Sequence, residues 1–254
     1  MPQPFRSVVL EEVGSTNREA FARADAGETG PLWIMARRQT AGRGRVGRLW
    51  TSDIGNLHAS LLVKLPCPPA AVSQLSLLAG VATVDAMART VRAPPVGVRL
   101  KWPNDVLIGH AKCAGILAES LVGRDAVTAV IGVGINLASH PADIGREATH
   151  LAAHGVQVAP EAMLGFLASA MQHWLDVWDC GAGFALVRAA WLERAGPVGE
   201  SCSVNTGTER ISGKFLDLDP HGALLLRDGE GQQRTVSFGD VTLAPPASGS
   251  RDDG

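Results

Sequence analysis

Tyrosine is absent from the 254 residues, and tryptophan and phenylalanine together bring the aromatic content to only 5%. Proteins that grip single-stranded nucleic acid interleave aromatic platforms with basic groups, so this shortage argues against that class. Charge of one sign is scarce as well. A formal net charge of −2 excludes a surface given over wholly to nucleic acid, although it leaves room for a local basic patch. Cysteine is thin: Cys67, Cys113, Cys180 and Cys202 lie far apart. With no C-x-x-C pair and no zinc-ligand spacing, reduced intracellular thiols are expected.

Long unbroken apolar runs are also missing. The most apolar segment, AAVSQLSLLAGVATVDAMARTV from Ala70, is interrupted by Ser73, Gln74, Ser76, Thr83 and Asp85, so no membrane span is expected. The N-terminal MPQPFRSVVLEEVGS runs at once into Glu11 and Glu12, unlike a signal or transit peptide. A cytoplasmic protein is the expectation. No Gly-x-Ser-x-Gly elbow occurs, and His150 and His154 lack the glutamate of a His-Glu-x-x-His zinc site, so they read as a surface helical pair.

What is present is an alternation of short β-branched runs with helical patterns from Phe5 to about Arg194, the texture of an α/β domain. RSVVLEEV, LWIMARRQ and GNLHASLLVKL read as strands, the last with Leu57, Ala59, Leu61 and Val63 on one face. Ser15-Thr16-Asn17 can cap a helix, with Glu19 completing a capping box on Thr16. Val72, Leu75, Leu78, Val81, Val84 and Met87 predict one apolar helical face. VGVRLKWPNDVLI and KCAGILAESLV flank a GHA turn as a hairpin, AVTAVIGVGINLA is a buried strand, and helix follows from about Pro160 to Arg194, broken near CGAGF. After GPVGE the texture changes. SCSVNT, ERISGKFLDLD, ALLLRD and QQRTVSFGDVTL predict a small β-barrel, and APPASGSRDDG a disordered tail. The expected division is 1–196, 197–245 and a tail over 246–254.

The densest chemistry is in RRQTAGRGRVGRLWTS, Arg37 to Ser52. Its Gly42-x-Gly44-x-x-Gly47 spacing imitates a dinucleotide fingerprint, yet no helical period follows Gly47 to present an N-terminus to a pyrophosphate. A P-loop is excluded because Gly-Lys-Ser/Thr is missing. Glycines that let the backbone approach a ligand, with Arg43, Arg45 and Arg48 repelling one another, predict a loop that orders over an anion. Trp50 can stack on a base or a guanidinium. Taken alone, the same stretch reads equally well as a solvated basic turn.

Three further clusters stand out. KWPNDV gathers Lys101, Trp102, Asn104 and Asp105 at a strand–turn junction, either a plain Asn-Asp turn or a metal–phosphate site. Lys112 opens KCAGILAES, either as a surface cap or as a cation aimed into the sheet. Gly132 and Gly134 lie within a buried strand, where glycine weakens the sheet unless something approaches closely, and Asn136 beside them needs partners.

In this order, STN (Ser15–Asn17), RQTAGRGRVGRLW (Arg38–Trp50), KWPNDV (Lys101–Val106), KCAGILAE (Lys112–Glu119) and GVGINL (Gly132–Leu137) make the chain resemble the biotin protein ligase family over essentially its whole length. The resemblance implies a mixed-sheet catalytic domain of the class II aminoacyl-tRNA synthetase/biotin ligase type with a small SH3-like barrel. It implies two steps: biotin and ATP give biotinyl-5′-AMP, and a lysine of a biotin carboxyl carrier domain then takes the biotinyl group. Mg²⁺ accompanies ATP.

Carried onto this sequence, Ser15, Thr16, Asn17 and Gln39 resemble the contacts to the biotin ring. Gly42, Arg43, Gly44 and Arg45 match the loop over biotin and adenylate, with Arg45 on the phosphate. Lys112 matches the catalytic lysine near the biotin carboxylate, and Gly115 lets backbone lie close to the ligand. Arg48, Trp50, Lys101, Asn104, Asp105 and Asn136 fall on the nucleotide side, Trp50 over adenine and Asp105 as the candidate metal ligand. His58 stands where the family pattern leads us to expect a bulky aromatic. Ser15 already belongs to the catalytic core, so the resemblance implies a monofunctional ligase, monomer or homodimer, without operator DNA binding. A lipoate ligase using the same acyl-adenylate chemistry is the alternative.

Overall fold

Strict alternation along the strand runs sorts their side chains onto the two faces of one sheet. The computed structural model describes residues 5–90, 97–142 and 147–243; the expected tail over 246–254 lies outside them. In chain order come β1 (Ser7–Val13), α1 (Thr16–Asp25), β2 (Leu32–Gln39), β3 (Leu57–Leu65), α2 (Leu75–Ala88), β4 (Val98–Lys101), β5 (Asp105–Ile108), β6 (Ala111–Val122) and β7 (Val127–Ile135), then α3 (Pro160–Trp178) and α4 (Phe184–Glu193). The seven strands order as β1-β2-β3-β7-β6-β5-β4. β1 and β2 run parallel across the α1 crossover, and the remaining neighbours are antiparallel. The sheet is therefore mixed.

Leu57, Ala59, Leu61 and Val63 of β3 join Ile131 and Val133 of β7 and Ile116 of β6 in the large core beneath α2, α3 and α4. On the other face, Leu32, Ile34, Leu62 and Val130 pack a smaller core under α1 with Ala20. That second face is only half covered by α1, and the uncovered half carries the site.

Tertiary packing alters three local expectations. α1 begins after Ser15, but no side chain caps it, and Glu19 turns to Arg23 one turn on at 2.8 Å. The capping box is absent because the Thr16 hydroxyl lies against Gln39 and Ser60 instead. The segment from Pro69, long and apolar enough to cross a membrane on length and composition, is a 3-10 turn followed by α2. Leu75, Leu78, Val81 and Met87 of the predicted apolar face lie in the core, with Val84 and, on the preceding turn, Val72 packed against it, but burial extends around most of α2 between the sheet and α3, well beyond that one face. The run VGVRLKWPNDVLI forms two strands, β4 and β5, of which β5 makes the expected hairpin with β6.

The C-terminal strands are β8 (Ser201–Asn205), β9 (Arg210–Leu218), β10 (Leu224–Arg227), β11 (Gln233–Val236) and β12 (Asp240–Leu243), ordered β11-β10-β9-β8-β12. The run QQRTVSFGDVTL breaks into β11 and β12 at Gly239, whose φ of 152° and close approach to Val204 suit glycine alone. This antiparallel sheet shares the large core through Val204, Phe215 and Leu218. Trp102 Nε1 donates to the Gly222 carbonyl at 3.0 Å, and Arg99 pairs with Glu200 at 2.6 Å, fastening it to the β4 edge.

Candidate active site

Pairing across four strands lays His58, Gly134, Gly115 and Asp105 in one row on the uncovered face. The two middle members have no side chain, so the row is a trough with walls at His58 and Asp105. The next row carries Ser60, Gly132 and Leu117. Something does approach these glycines closely, and it is the chain itself. A Cβ on Gly132 would meet Asn17 Oδ1 at 2.3 Å, and one on Gly134 would meet the Trp50 ring at 2.4 Å. Gly115 takes the other edge of Trp50 and the Lys112 ammonium, each 2.9 Å from a notional Cβ. Gly115 thus admits side chains of the protein itself.

Trp50 is held at both ends. Its Nε1 lies 3.3 Å from His58 Nδ1, and the Lys112 Nζ stands 5.5 Å from a ring centroid. His58 Nε2 faces the Asp53 carbonyl at 3.3 Å. These partners require a neutral imidazole with its proton on Nε2. Burial of the ring pushes its pKa below the usual histidine value, which outweighs the opposing pull of Asp53.

Lys112 reaches the trough through an irregularity. Val106 of β5 faces Ala114 of β6, and Leu107 faces Lys112, so Cys113 is an extra residue in β6. The bulge turns Lys112 to the face of Gly115. Its backbone is clamped from behind, donating to the Glu147 carbonyl and accepting from Thr149 N, each at 2.9 Å. The lysine is buried, and its ammonium contacts Asp105, whose other oxygen takes Lys101 at 2.9 Å. Asp105 therefore stands between two ammonium groups. That donor set does not fit a protein-held metal ion, and among the described residues no three His, Cys, Asp or Glu side chains converge to hold one.

A polar corner lies at the α1 end. Gln39 Oε1 accepts from the Thr16 amide at 2.8 Å, Ser60 Oγ lies 2.6 Å from Asn17 Oδ1, and Asn17 Nδ2 donates to Glu119 at 2.7 Å. Glu119 also takes Arg43 at 2.6 Å. Arg43 Nε is the one buried side-chain nitrogen or oxygen without a hydrogen-bond partner among the described residues.

The expected mutual repulsion of the loop arginines is met by protein carboxylates. Arg43 has Glu119, while Arg48 and Arg45 both turn to Asp240 on β12, at 2.5 and 3.6 Å. A short 3-10 turn, Arg45–Gly47, takes the place of the helix that a dinucleotide fingerprint needs. Each candidate biotin, nucleotide or catalytic residue except Gly42 lines one cavity of about 980 Å³. Gly42 closes the loop instead, its carbonyl accepting from Trp50 N at 3.0 Å. Asn104 spends its amide on the Ile116 carbonyl and Asn136 on that of Thr149. Neither histidine of the expected helical pair faces the other: His150 sits against His140 and His154 against Thr149.

Sequence reasoning missed Glu119, Ser60 and Asp240, and did not use His58 as a partner of Trp50. Glu119 ends a recognisable motif and was open to detection. Asp240 lies 192 residues from its partner Arg48 with nothing local to mark it.

Comparison with known proteins agrees with this geometry. Residues 13–136 match the Biotin/lipoate A/B protein ligase family, and residues 198–243 match the Biotin protein ligase C terminal domain. The chain is 40% identical over 232 residues to the biotin–[acetyl-CoA-carboxylase] ligase of Paracoccus denitrificans, covering 89% of this chain and 95% of that one. It is 35% identical to the Mycobacterium tuberculosis enzyme of that name, covering 92% and 87%. The biotin protein ligase of Aquifex aeolicus, solved with biotin and ATP, superposes with a TM-score of 0.77 at 27% identity, over 94% of this chain and 98% of that one. With its mixed sheet, its glycine-floored trough and this likeness over nearly its full length, the chain belongs to the biotin protein ligase family.

Proposed function

We propose that the chain activates biotin with ATP and transfers it to a lysine of a biotin carboxyl carrier domain. One observation carries this reading: a single cavity joins the polar corner of Thr16, Asn17 and Gln39 to the cationic cluster of Arg45, Lys101 and Lys112. A ligand with a urea-like head and a carboxylate tail matches that polarity. The relatives named above are biotin ligases, which favours biotin over lipoate.

In the first step a biotin carboxylate oxygen attacks the α-phosphorus of ATP and pyrophosphate leaves. In the second, the carrier's lysine amine attacks the acyl carbon, and AMP leaves with the bond electrons. Negative charge gathers around the α-phosphate in both, so fixed cations and alignment are the means of acceleration. Lys112, clamped by the bulge and aimed by Asp105, is the group we assign to the carboxylate and α-phosphate. Arg43, whose guanidinium pairs with Glu119, lines the cavity beside the polar corner. Trp50 covers the trough and excludes water. Magnesium would enter as the companion of the ATP phosphates, since among the described residues no side chains make a cage for it.

The test is to mix the protein with ATP, Mg²⁺, labelled biotin and an apo carrier domain. Label on the carrier's lysine is expected. Transfer of lipoate in place of biotin would sink the proposal.

A further inference from the structure

The loop from Arg43 to Trp50 lines the cavity, and its Arg45 and Arg48 are fastened from outside the seven-stranded sheet. Arg48 and Arg45 converge on one carboxylate, Asp240, at the start of β12. Arg45 also donates to the Gly239 carbonyl at 3.1 Å and lies over the Phe238 ring, 5.4 Å from its centroid. β12 is the edge strand of its sheet, and one residue further on its Val241 carbonyl accepts from Lys101 at 3.0 Å. A short C-terminal stretch, 238–241, thus holds Arg45, Arg48 and Lys101, three of four cations that line this part of the cavity with Lys112. Its own backbone geometry is set by Gly239, where any side chain would run into Val204.

We propose that Asp240 is a positioning residue for the ligase reaction, holding the loop against the cavity by engaging Arg45 and Arg48 together. This rests on the reading of the cavity as the ATP and biotin site. Without Asp240, four cations would face one another with Asp105 as the nearest carboxylate, and like charges at that spacing drive the loop outward. Asp240 offsets this repulsion before any anion enters. The pairs are partly solvent-exposed, with Asp240 at 26% and Arg48 at 53%, so they are weak enough to exchange for phosphate oxygens. Arg43 at the other end of the loop has its own partner in Glu119, so loss of Asp240 loosens the nucleotide end and leaves the biotin end fastened.

The full chain is compared with Asp240→Asn, Asp240→Glu and Arg48→Gln by two measurements. Hydrogen–deuterium exchange over Arg43–Trp50 reads the loop without requiring activity. Biotin-dependent ATP–pyrophosphate exchange reads KM for each substrate. Asp240→Asn is expected to speed amide exchange in the loop and to raise the KM for ATP about two- to fivefold, the size of a partly exposed ion pair. The KM for biotin stays within about twofold on the same scale, and Asp240→Glu restores the parent values. Should Asp240→Asn lower the urea midpoint, Arg48→Gln loosens the same contact from the exposed side, and the double variant should exchange no faster than Asp240→Asn alone. Unchanged loop exchange, or equal shifts in both KM values, overturns the proposal. If the parent shows no biotin-dependent exchange of pyrophosphate, the reading of the cavity fails, while amide exchange still decides whether Asp240 fastens the loop.

Discussion

The indole of Trp50 occupies the space that a side chain on Gly134 would fill: a Cβ there would lie 2.4 Å from its Cε2. The sheet backbone at this point is paired on both sides, with His58 and with Gly115, so it cannot yield. The ring, at the end of a loop, can. Gly134→Ala should therefore lift Trp50 off the trough and break its contact with His58. The expected loss of stability is about 1 kcal/mol, at the low end for overpacking, because the loop absorbs the clash. Adenylation should fall far more than stability. Tryptophan fluorescence and pyrophosphate exchange measure the two, and a fully active variant with parental fluorescence would contradict the trough.

Lys112 and Asp105 form a buried ion pair. Removing one member leaves the other charge buried, which costs about 3–5 kcal/mol when no partner remains. Here Lys101 still reaches Asp105 at 2.9 Å, so Lys112→Ala should fall near about 3 kcal/mol and stay folded. Biotinyl-AMP formation should be almost lost. Urea unfolding with single-turnover adenylation separates the effects, and adenylation at the parent rate would remove Lys112 from the chemistry.

His58 gives a pH dependence with a defined sign. Burial lowers its folded pKa below the unfolded value of 6.5. Between the two values the unfolded chain binds more protons, so stability rises with pH there. The contribution is complete above about 6.5 and declines as pH falls toward the depressed folded value. Below that range a protonated Nδ1 can no longer accept from Trp50. Denaturation of the parent between pH 8 and pH 5 should show a steeper acid decline than His58→Gln. Parallel profiles would mean that the ring does not titrate in this way.

Glu119 holds Asn17 and Arg43 together. Glu119→Ala frees both, and a lost hydrogen bond to a charged group is worth about 1.5 kcal/mol at the low end, or about tenfold in affinity. Calorimetric titration should show biotin binding about tenfold more weakly. An unchanged dissociation constant would confine Glu119 to a structural part.

The strands were legible because a period of two is a strong signal. Leu57, Ala59, Leu61 and Val63 lie on the face that alternation assigns them. The glycines of β7 were legible as places of close approach, though not what approaches, since Asn17 and Trp50 arrive from distant segments. α2 was legible in its core face but not in its full burial, because periodicity reports one contact face and this helix is packed on several. The capping box failed for a related reason: Thr16 has a tertiary partner in Ser60 that no local rule anticipates. Asp240 was illegible because a lone aspartate in a β-rich tail carries no local mark.

The extra residue at Cys113 has a consequence for how the chain tolerates change. In a strand the side a residue faces is set by odd or even count, and Lys112 lies three positions from Gly115, so plain counting would put them on opposite sides. The ammonium reaches the trough by parity rather than by its own identity. With Cys113 kept but the bulge straightened, the lysine would turn toward the opposite core, whereas deleting Cys113 would leave it two positions from Gly115 and hold it on the trough side by plain alternation. For this segment, spacing is as much a functional residue as lysine is.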